Sequence, residues 1–290
     1  MIPILLTATV NPQGMQGACF ELKYRMMMYS EALRFYAEKG LKVVFAENSG
    51  FLLEIRNSQK ERKETNFGFS EFLDCPNVEL LDVSGPEYDQ SRGKGYNETI
   101  LLHKAILASE FVKEAGCFFK ITGRLKVLNV EKLLKECENE NLRYESSSNT
   151  KATHEGLQHE GLRFLADCKD HKVYEWLHMP INGHAGECRY WFATTDFFIE
   201  RMWPKLDQMN DYTHPPVLAE DVMLQVCRET RGWSGCKDRF RTQARISGLG
   251  GHNLGKGASF FYSTDNDSFA LRFKCGIRQL LRWVMPWWRA

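Results

Sequence analysis

Four short apolar runs limit the folds open to this chain more than any other feature. Ile2–Thr9, Leu41–Ala46, Val78–Val83 and Cys117–Ile121 each have strand length. Short apolar strands belong to sheets covered on both faces, which are mostly parallel. Between the runs lie segments of helical character. Tyr24–Lys39 offers Met27, Leu33, Phe35 and Tyr36 to a core and reaches Gly40, a helix stop. Asn97–Ala115 presents a broad face through Ile100, Leu101, Ala105 and Phe111, and Gly116 closes it. Arg189–Ala193 reads as a further strand, with a helix from the N-cap residue Thr195, and Ala219–Glu229 as a helix entered through Pro215-Pro216. The polar stretches Asn57–Asn66 and Asn141–His159 read as loops. The expected fold class is α/β, with a mostly parallel central sheet flanked by helices.

No internal repeat and no linker divides the body, so residues 1–267 are expected to form a single domain. A C-terminal amphipathic helix, 268–290, follows it. The chain has 290 residues, 43% hydrophobic and 26% charged, the balance of a soluble globular protein. Its nine Cys are scattered without a CxxC pair, which fits neither a disulfide framework nor a zinc ribbon and points to a reducing cytoplasm. The first ten residues lack a basic leader, and no run approaches the roughly 18–20 apolar residues of a membrane span. With 38 Lys+Arg against 37 Asp+Glu, the net charge of +1 argues against a nucleic-acid partner.

Parallel sheets bind ligands beyond the carboxyl ends of their strands, so the residues just after each run carry the functional information. Thr7, Thr9 and Asn11 follow the first, Glu47-Asn48-Ser49 the second, and Gly93-Lys94-Gly95 comes after the third. Glycines beside Lys94, followed by a helix start, suit an anion, although Lys between glycines is also an ordinary surface turn. It is no Walker loop, since GxxxxGK[ST] is absent. Lys120 and Arg124 bracket Thr122-Gly123 at the end of a buried strand. Two such cations repel unless an anion lies between them.

This order of elements resembles the nucleotide-binding half of GT-A type glycosyltransferases. The run Cys117-Phe-Phe-Lys-Ile-Thr-Gly-Arg124 is similar to a KxTGR/KxSGR segment in a group of bacterial surface-polysaccharide glycosyltransferases. Arg189-Tyr-Trp-Phe-Ala193, Ala219-Glu-Asp-Val222 and Arg245-Ile-Ser-Gly-Leu-Gly-Gly251 fall in the matching order, over roughly residues 1–260. The resemblance implies a GT-A-like, Rossmann-like domain with a nucleotide-binding half at about 1–130 and an acceptor half at about 131–267. It implies a hexosyltransferase taking a nucleotide-sugar donor, of UDP type, to a lipid-linked or surface glycan acceptor. Thr7, Thr9 and Glu47 would hold the nucleoside, and Lys94 would approach the sugar-nucleotide. Thr122-Gly123-Arg124 stands where such enzymes carry a metal-binding Asp-x-Asp. Thr and Gly cannot replace two hard anionic oxygens. Lys120 and Arg124 would therefore meet the diphosphate directly, and the expectation is metal-independent catalysis with no cofactor.

Inverting transfer needs a carboxylate base. The resemblance gives that role to Asp221, with Glu220 placing the acceptor; acidic residues at a helix start are equally favoured by the helix dipole alone. In the Gly-rich stretch 248–257, His252 or Lys256 would touch the diphosphate, unless this is a plain loop. Two rival metal sites, Asp265-Asn266-Asp267 and Asp167/Asp170/His171, lack a buried strand leading into them or read as ordinary surface carboxylates. The alternatives are a nucleotidyltransferase acting on an NTP and a sugar phosphate, or a non-catalytic membrane-associated assembly protein.

The tail is unlike the body. From Ser268 to Ala290 come Arg272, Lys274, Arg278, Arg282 and Arg289 and no acidic residue. Phe273, Ile277, Leu280, Leu281, Val284 and Trp288 align as one stripe at about 100° per residue. Such a helix fits an anionic membrane surface at the inner face of the cell membrane, or packing on protein.

Overall fold

A computed structural model describes residues 1–12, 21–60, 68–139, 173–174, 177–178, 185–230, 235–237, 239–249, 261–262 and 269–285. In chain order the strands are β1 (Ile4–Ala8), β2 (Val43–Glu47), β3 (Val78–Asp82), β4 (Cys117–Thr122), β5 (Lys126–Val127), β6 (Val173–Tyr174), β7 (Leu177–His178), β8 (Ala185–Gly186), β9 (Tyr190–Thr194), β10 (Cys236–Lys237), β11 (Ile246–Leu249) and β12 (Phe261–Tyr262). The helices are α1 (Leu22–Ala37), α2 (Phe51–Lys60), α3 (Lys94–Ala108), α4 (Glu110–Ala115), α5 (130–139), α6 (Ala219–Glu229) and α7 (Phe269–Val284), with irregular helical turns through 195–208.

The central sheet has the order β10-β6-β9-β4-β1-β2-β3. Strands β3, β2, β1 and β4 are parallel neighbours, and β9 runs antiparallel to both β4 and β6. Successive side chains on a strand point to opposite faces, so each buried strand feeds two cores. Ile4, Leu6, Val43, Phe45, Phe119 and Ile121 pack with α1, α2 and α5. Leu5, Val44, Ala46 and Phe118 pack on the other face with α3, α4, α6 and the 195–208 turns. Burial on both faces is why these runs lack alternation.

Three local expectations change. The helix expected over Asn97–Ala115 starts at Lys94 and breaks at Ser109, which takes an extended conformation (φ −72°, ψ 124°). Its hydroxyl accepts from the Val112 N–H and donates to Glu79, so the side chain starts a new helix instead of continuing the old one. Residues 57–60, read as loop, extend α2, because the apolar positions Phe51, Leu52 and Ile55 bury its face. The cap expected at Thr195 is supplied by Thr194, whose hydroxyl accepts from the Phe197 N–H. The loop read at Asn141–His159 lies outside the described residues. Among the described residues no helix is long and apolar enough to cross a membrane.

One buried hydroxyl ties the helix layer to the turn after β4. Tyr36, fully buried on α1, donates to the Leu125 carbonyl (2.9 Å) and accepts from the Val127 N–H (2.7 Å). Burial pushes its phenol well above the ordinary range, so it stays protonated. Tyr36→Phe leaves both backbone groups without this partner and is expected to lower stability by about 1–3 kcal/mol. A lower urea midpoint at unchanged slope is the measurement that checks it.

Candidate functional site

From β1 the chain builds outward through β2 to β3, then returns across the sheet through α3 and α4 to place β4 on the other side of β1. The connections leaving β1 and β4 therefore diverge, and a crevice opens at their carboxyl ends. A cavity of about 500 Å³ lies there. Its walls are the end of β1 (Thr7, Ala8, Thr9), the turn after β4 (Thr122, Arg124), the start of α3 (Lys94, Gly95, Asn97, Glu98) and the start of α6 (Leu218 to Asp221). Arg25, Arg189, Asp211 and Leu249 also line it.

Strand parity decides what points at α3. Leu5 and Thr7 face the α3 layer, as do Phe118, Lys120 and Thr122 on the neighbouring strand; the register pairs Leu5 with Lys120 and Thr7 with Thr122. Glu98, one turn into α3, meets both strands. Its Oε1 lies 2.8 Å from Lys120 Nζ and accepts from the Thr7 hydroxyl at 2.6 Å. Lys120 also donates to Thr122 Oγ1 (3.3 Å) and to the Cys188 carbonyl. Lys120 is 1% exposed, whereas Glu98 keeps 29% of its side chain in solvent. The anion demanded between Lys120 and Arg124 is thus present, but it is a side chain of the protein. The expectation that Lys120 meets a diphosphate directly is corrected accordingly: its charge is engaged within the wall.

The Gly-Lys-Gly start of α3 has a similar outcome. Gly93 sits at φ +94°, a left-side conformation that favours glycine, and a Cβ there would lie 2.3 Å from the Asp211 carboxylate. That closeness lets Asp211 Oδ2 accept from the Lys94 N–H at 2.8 Å, occupying the positive end of the helix. Arg92 is spent on the Asp207 and Met209 carbonyls, which brings the 207–211 segment alongside. Gly123 is required by close approach: its N–H donates to Thr7 O (2.9 Å), and a Cβ would stand 2.6 Å from that oxygen.

At the other wall, Glu220 and Asp221 separate in role. Asp221 is exposed, and its Oδ2 accepts from the Leu218 N–H (3.0 Å), capping its own helix. Glu220 lines the cavity with its carboxyl held above the usual range. Burial is the main cause, and the neighbouring Glu98 and Asp211 add to it. Burial likewise pushes the Cys188 thiol up, so it is no thiolate.

Of the other expected residues, Thr9 donates to Asn48 Oδ1 (2.7 Å) at the cavity edge. Glu47 is corrected: it is completely buried and does not line the cavity. Its carboxylate accepts from the N–H groups of Val10, Ser49 and Phe51 and from the Ser49 hydroxyl, joining the β1 exit to the start of α2. Burial raises its pKa, and those donors oppose the rise. His252, Lys256, Asp265, Asp267, Asp167, Asp170 and His171 lie outside the described residues. Among the described residues no group of three His, Cys, Asp or Glu is arranged to hold a metal ion.

Sequence reasoning did not single out Glu98, Asp211 or Arg25. Arg25 is buried, donates to the Val10 carbonyl (3.0 Å) and to that of Thr9, and stacks over Tyr29. The four-residue spacing of Lys94 and Glu98 on one helix face was the signal available for Glu98; nothing local marked the other two. Arg189 lines the cavity and is held bidentately by the buried Glu187 (2.8 and 2.5 Å). No protein-family model matches the chain, and no curated protein or solved structure matches it at a significant level.

The asymmetry of the Lys120–Glu98 pair sets an order of stabilities. Glu98→Gln strands a buried cation and should cost about 3–5 kcal/mol. Lys120→Met should cost less, because the remaining carboxylate keeps solvent. The double variant should be more stable than Glu98→Gln alone, and denaturant midpoints of the four proteins test that order.

Proposed function

We propose that the chain is a glycosyltransferase of GT-A-like fold, a hexosyltransferase moving a sugar from a UDP-type nucleotide-sugar to a glycan hydroxyl with inversion. The reading rests on one observation. A single cavity, of a size that suits a small-molecule site, is lined by both Arg124 and Glu220. Among the described residues no carboxylate pairs with the Arg124 guanidinium, whose Nε donates to the Leu249 carbonyl (3.0 Å). Glu220 has its carboxyl raised by burial.

In this reading the donor diphosphate lies against Arg124, and the acceptor hydroxyl against Glu220. Glu220 takes the hydroxyl proton as the acceptor oxygen bonds to the anomeric carbon. The bond from that carbon to the diphosphate breaks, and its electron pair leaves with the nucleoside diphosphate, whose charge Arg124 meets. A carboxylate raised toward neutral pH is a better base than an ordinary one. Glu220 therefore takes the role that the resemblance gave to Asp221, whose carboxylate caps its helix. Lys120 acts through Glu98, holding the two strand ends against α3. Thr122-Gly123 supplies no hard anionic oxygen, so a cationic side chain does the work that a metal does elsewhere in such folds.

Glu220→Gln is expected to reduce kcat/KM by about 10²–10⁴-fold, the scale of a lost general base. Asp221→Asn, which keeps an oxygen acceptor for the Leu218 N–H, should reduce it less than about tenfold. The wild-type rate should fall as pH drops through the raised Glu220 pKa, because protonation there removes the base. That acid limb should lie above the ordinary glutamate range, and pH–rate profiles of kcat/KM check it.

Donor turnover separates the reaction classes. UDP release from a UDP-sugar that is unchanged by EDTA, and a higher Kd for UDP in Arg124→Ala, are the expected results. Pyrophosphate release from an NTP with a sugar phosphate would instead favour a nucleotidyltransferase. Absence of turnover with every donor, together with unchanged nucleotide binding in Arg124→Ala, would favour an assembly protein.

A further inference from the structure

Helix α7 meets the body along one edge. Gln279 Oε1 accepts from the Gln243 N–H (2.7 Å), and its Nε2 donates to the Arg241 carbonyl (2.9 Å). Just past the helix, the Met285 carbonyl accepts from Arg239 (3.1 Å). Roughly 130° around the axis from Gln279, at 100° per residue, runs an apolar seam. Phe273, Ile277, Leu280 and Val284, spaced four, three and four apart, are 43% to 60% exposed, and Trp283 beside them is 72% exposed. A contiguous seam of this kind in water marks a surface that something covers.

Its charge decides between occupants. A second copy could pair along such a seam, but the chain from Ser268 to Ala290 has five cations and no acid. Two such helices would bring like charges together with no counterion. An anionic bilayer satisfies both features at once: the seam enters the acyl boundary and the segment's net positive charge is drawn to lipid phosphates.

The body attachment adds a second element. The segment that grips α7 through Arg241 and Gln243 continues through the buried Ala244 into β11, which pairs with β5. It ends at Leu249, which lines the cavity and whose carbonyl receives Arg124. We propose that α7 is a fixed lipid mount, lying flat on an anionic bilayer and holding the cavity at a set position above it through residues 239–249. The mount stands on its own observations; if the glycosyl-transfer reading also holds, it specifies an acceptor presented at a lipid surface.

The test is co-sedimentation of the full chain with phosphatidylcholine vesicles, with and without phosphatidylglycerol. Wild type is expected to bind the anionic vesicles, to ignore the neutral ones and to dissociate as salt rises. Ile277→Glu/Leu280→Glu, at exposed positions, should keep its circular dichroism spectrum and lose roughly tenfold or more in partitioning. Gln279→Ala should still bind, with faster amide exchange at Gln243. The proposal is overturned if wild type does not bind anionic vesicles, or if the double-Glu variant binds as well as wild type. It is also overturned by a wild-type dimer in vesicle-free buffer that the double-Glu variant dissociates, which would assign the seam to a second copy. Unchanged Gln243 exchange in Gln279→Ala would overturn the fixed attachment. None of these readouts requires turnover, so UDP release in solution succeeds or fails independently.

Discussion

The buried ion pair between Lys120 and Glu98 is the interaction on which the geometry of the cavity depends. A lysine at the end of a core strand needs a counterion, and the helix crossing that face supplies it. By taking Glu98 from the first turn of α3, Lys120 fixes where that helix begins over the sheet. The Thr7 hydroxyl on the same carboxylate adds the neighbouring strand, so one side chain spans both edges of the crevice. The positions of Lys94, of Gly95 against Ala219, and hence of the start of α6 follow from that anchoring.

Internal carboxylates recur throughout the site. Asp211 occupies the α3 start, Glu187 clamps Arg189, and Glu47 gathers the loop after β1. Each answers a positive or donor-rich group that a sequence reader would offer to a ligand. Local neutrality keeps those groups in place. Arg124 differs: its Nε donates to the Leu249 carbonyl, and among the described residues no carboxylate pairs with its guanidinium. Glu220 is the opposite case: a carboxylate placed among other carboxylates and little solvent, with its proton held more tightly in consequence.

Legibility followed the range of the forces involved. The core strands could be read because burial on both faces leaves an unbroken apolar run, and Ala219–Glu229 because proline and acidic residues announce its start. The break at Ser109 was hidden, since its hydroxyl found Glu79, 30 positions away. Glu47 was misassigned for a related reason: a carboxylate after a strand looks the same whether it faces a ligand or three backbone N–H groups.

By itself, the sequence determined the α/β class, the strand ends, and the placing of Lys94, Lys120, Thr122, Gly123, Arg124, Glu220 and Asp221 at strand ends or helix starts. Periodicity and turn chemistry are local, and they survive in a one-dimensional reading. Tertiary structure alone decided which charges are already paired, which of two adjacent acids caps its own helix, and that the basic terminal helix is held by Gln279 with its apolar seam outward. The Lys120–Glu98 and Lys94–Asp211 partners lie 22 and 117 residues apart along the chain, so the fold, and not the order of residues, brings them together.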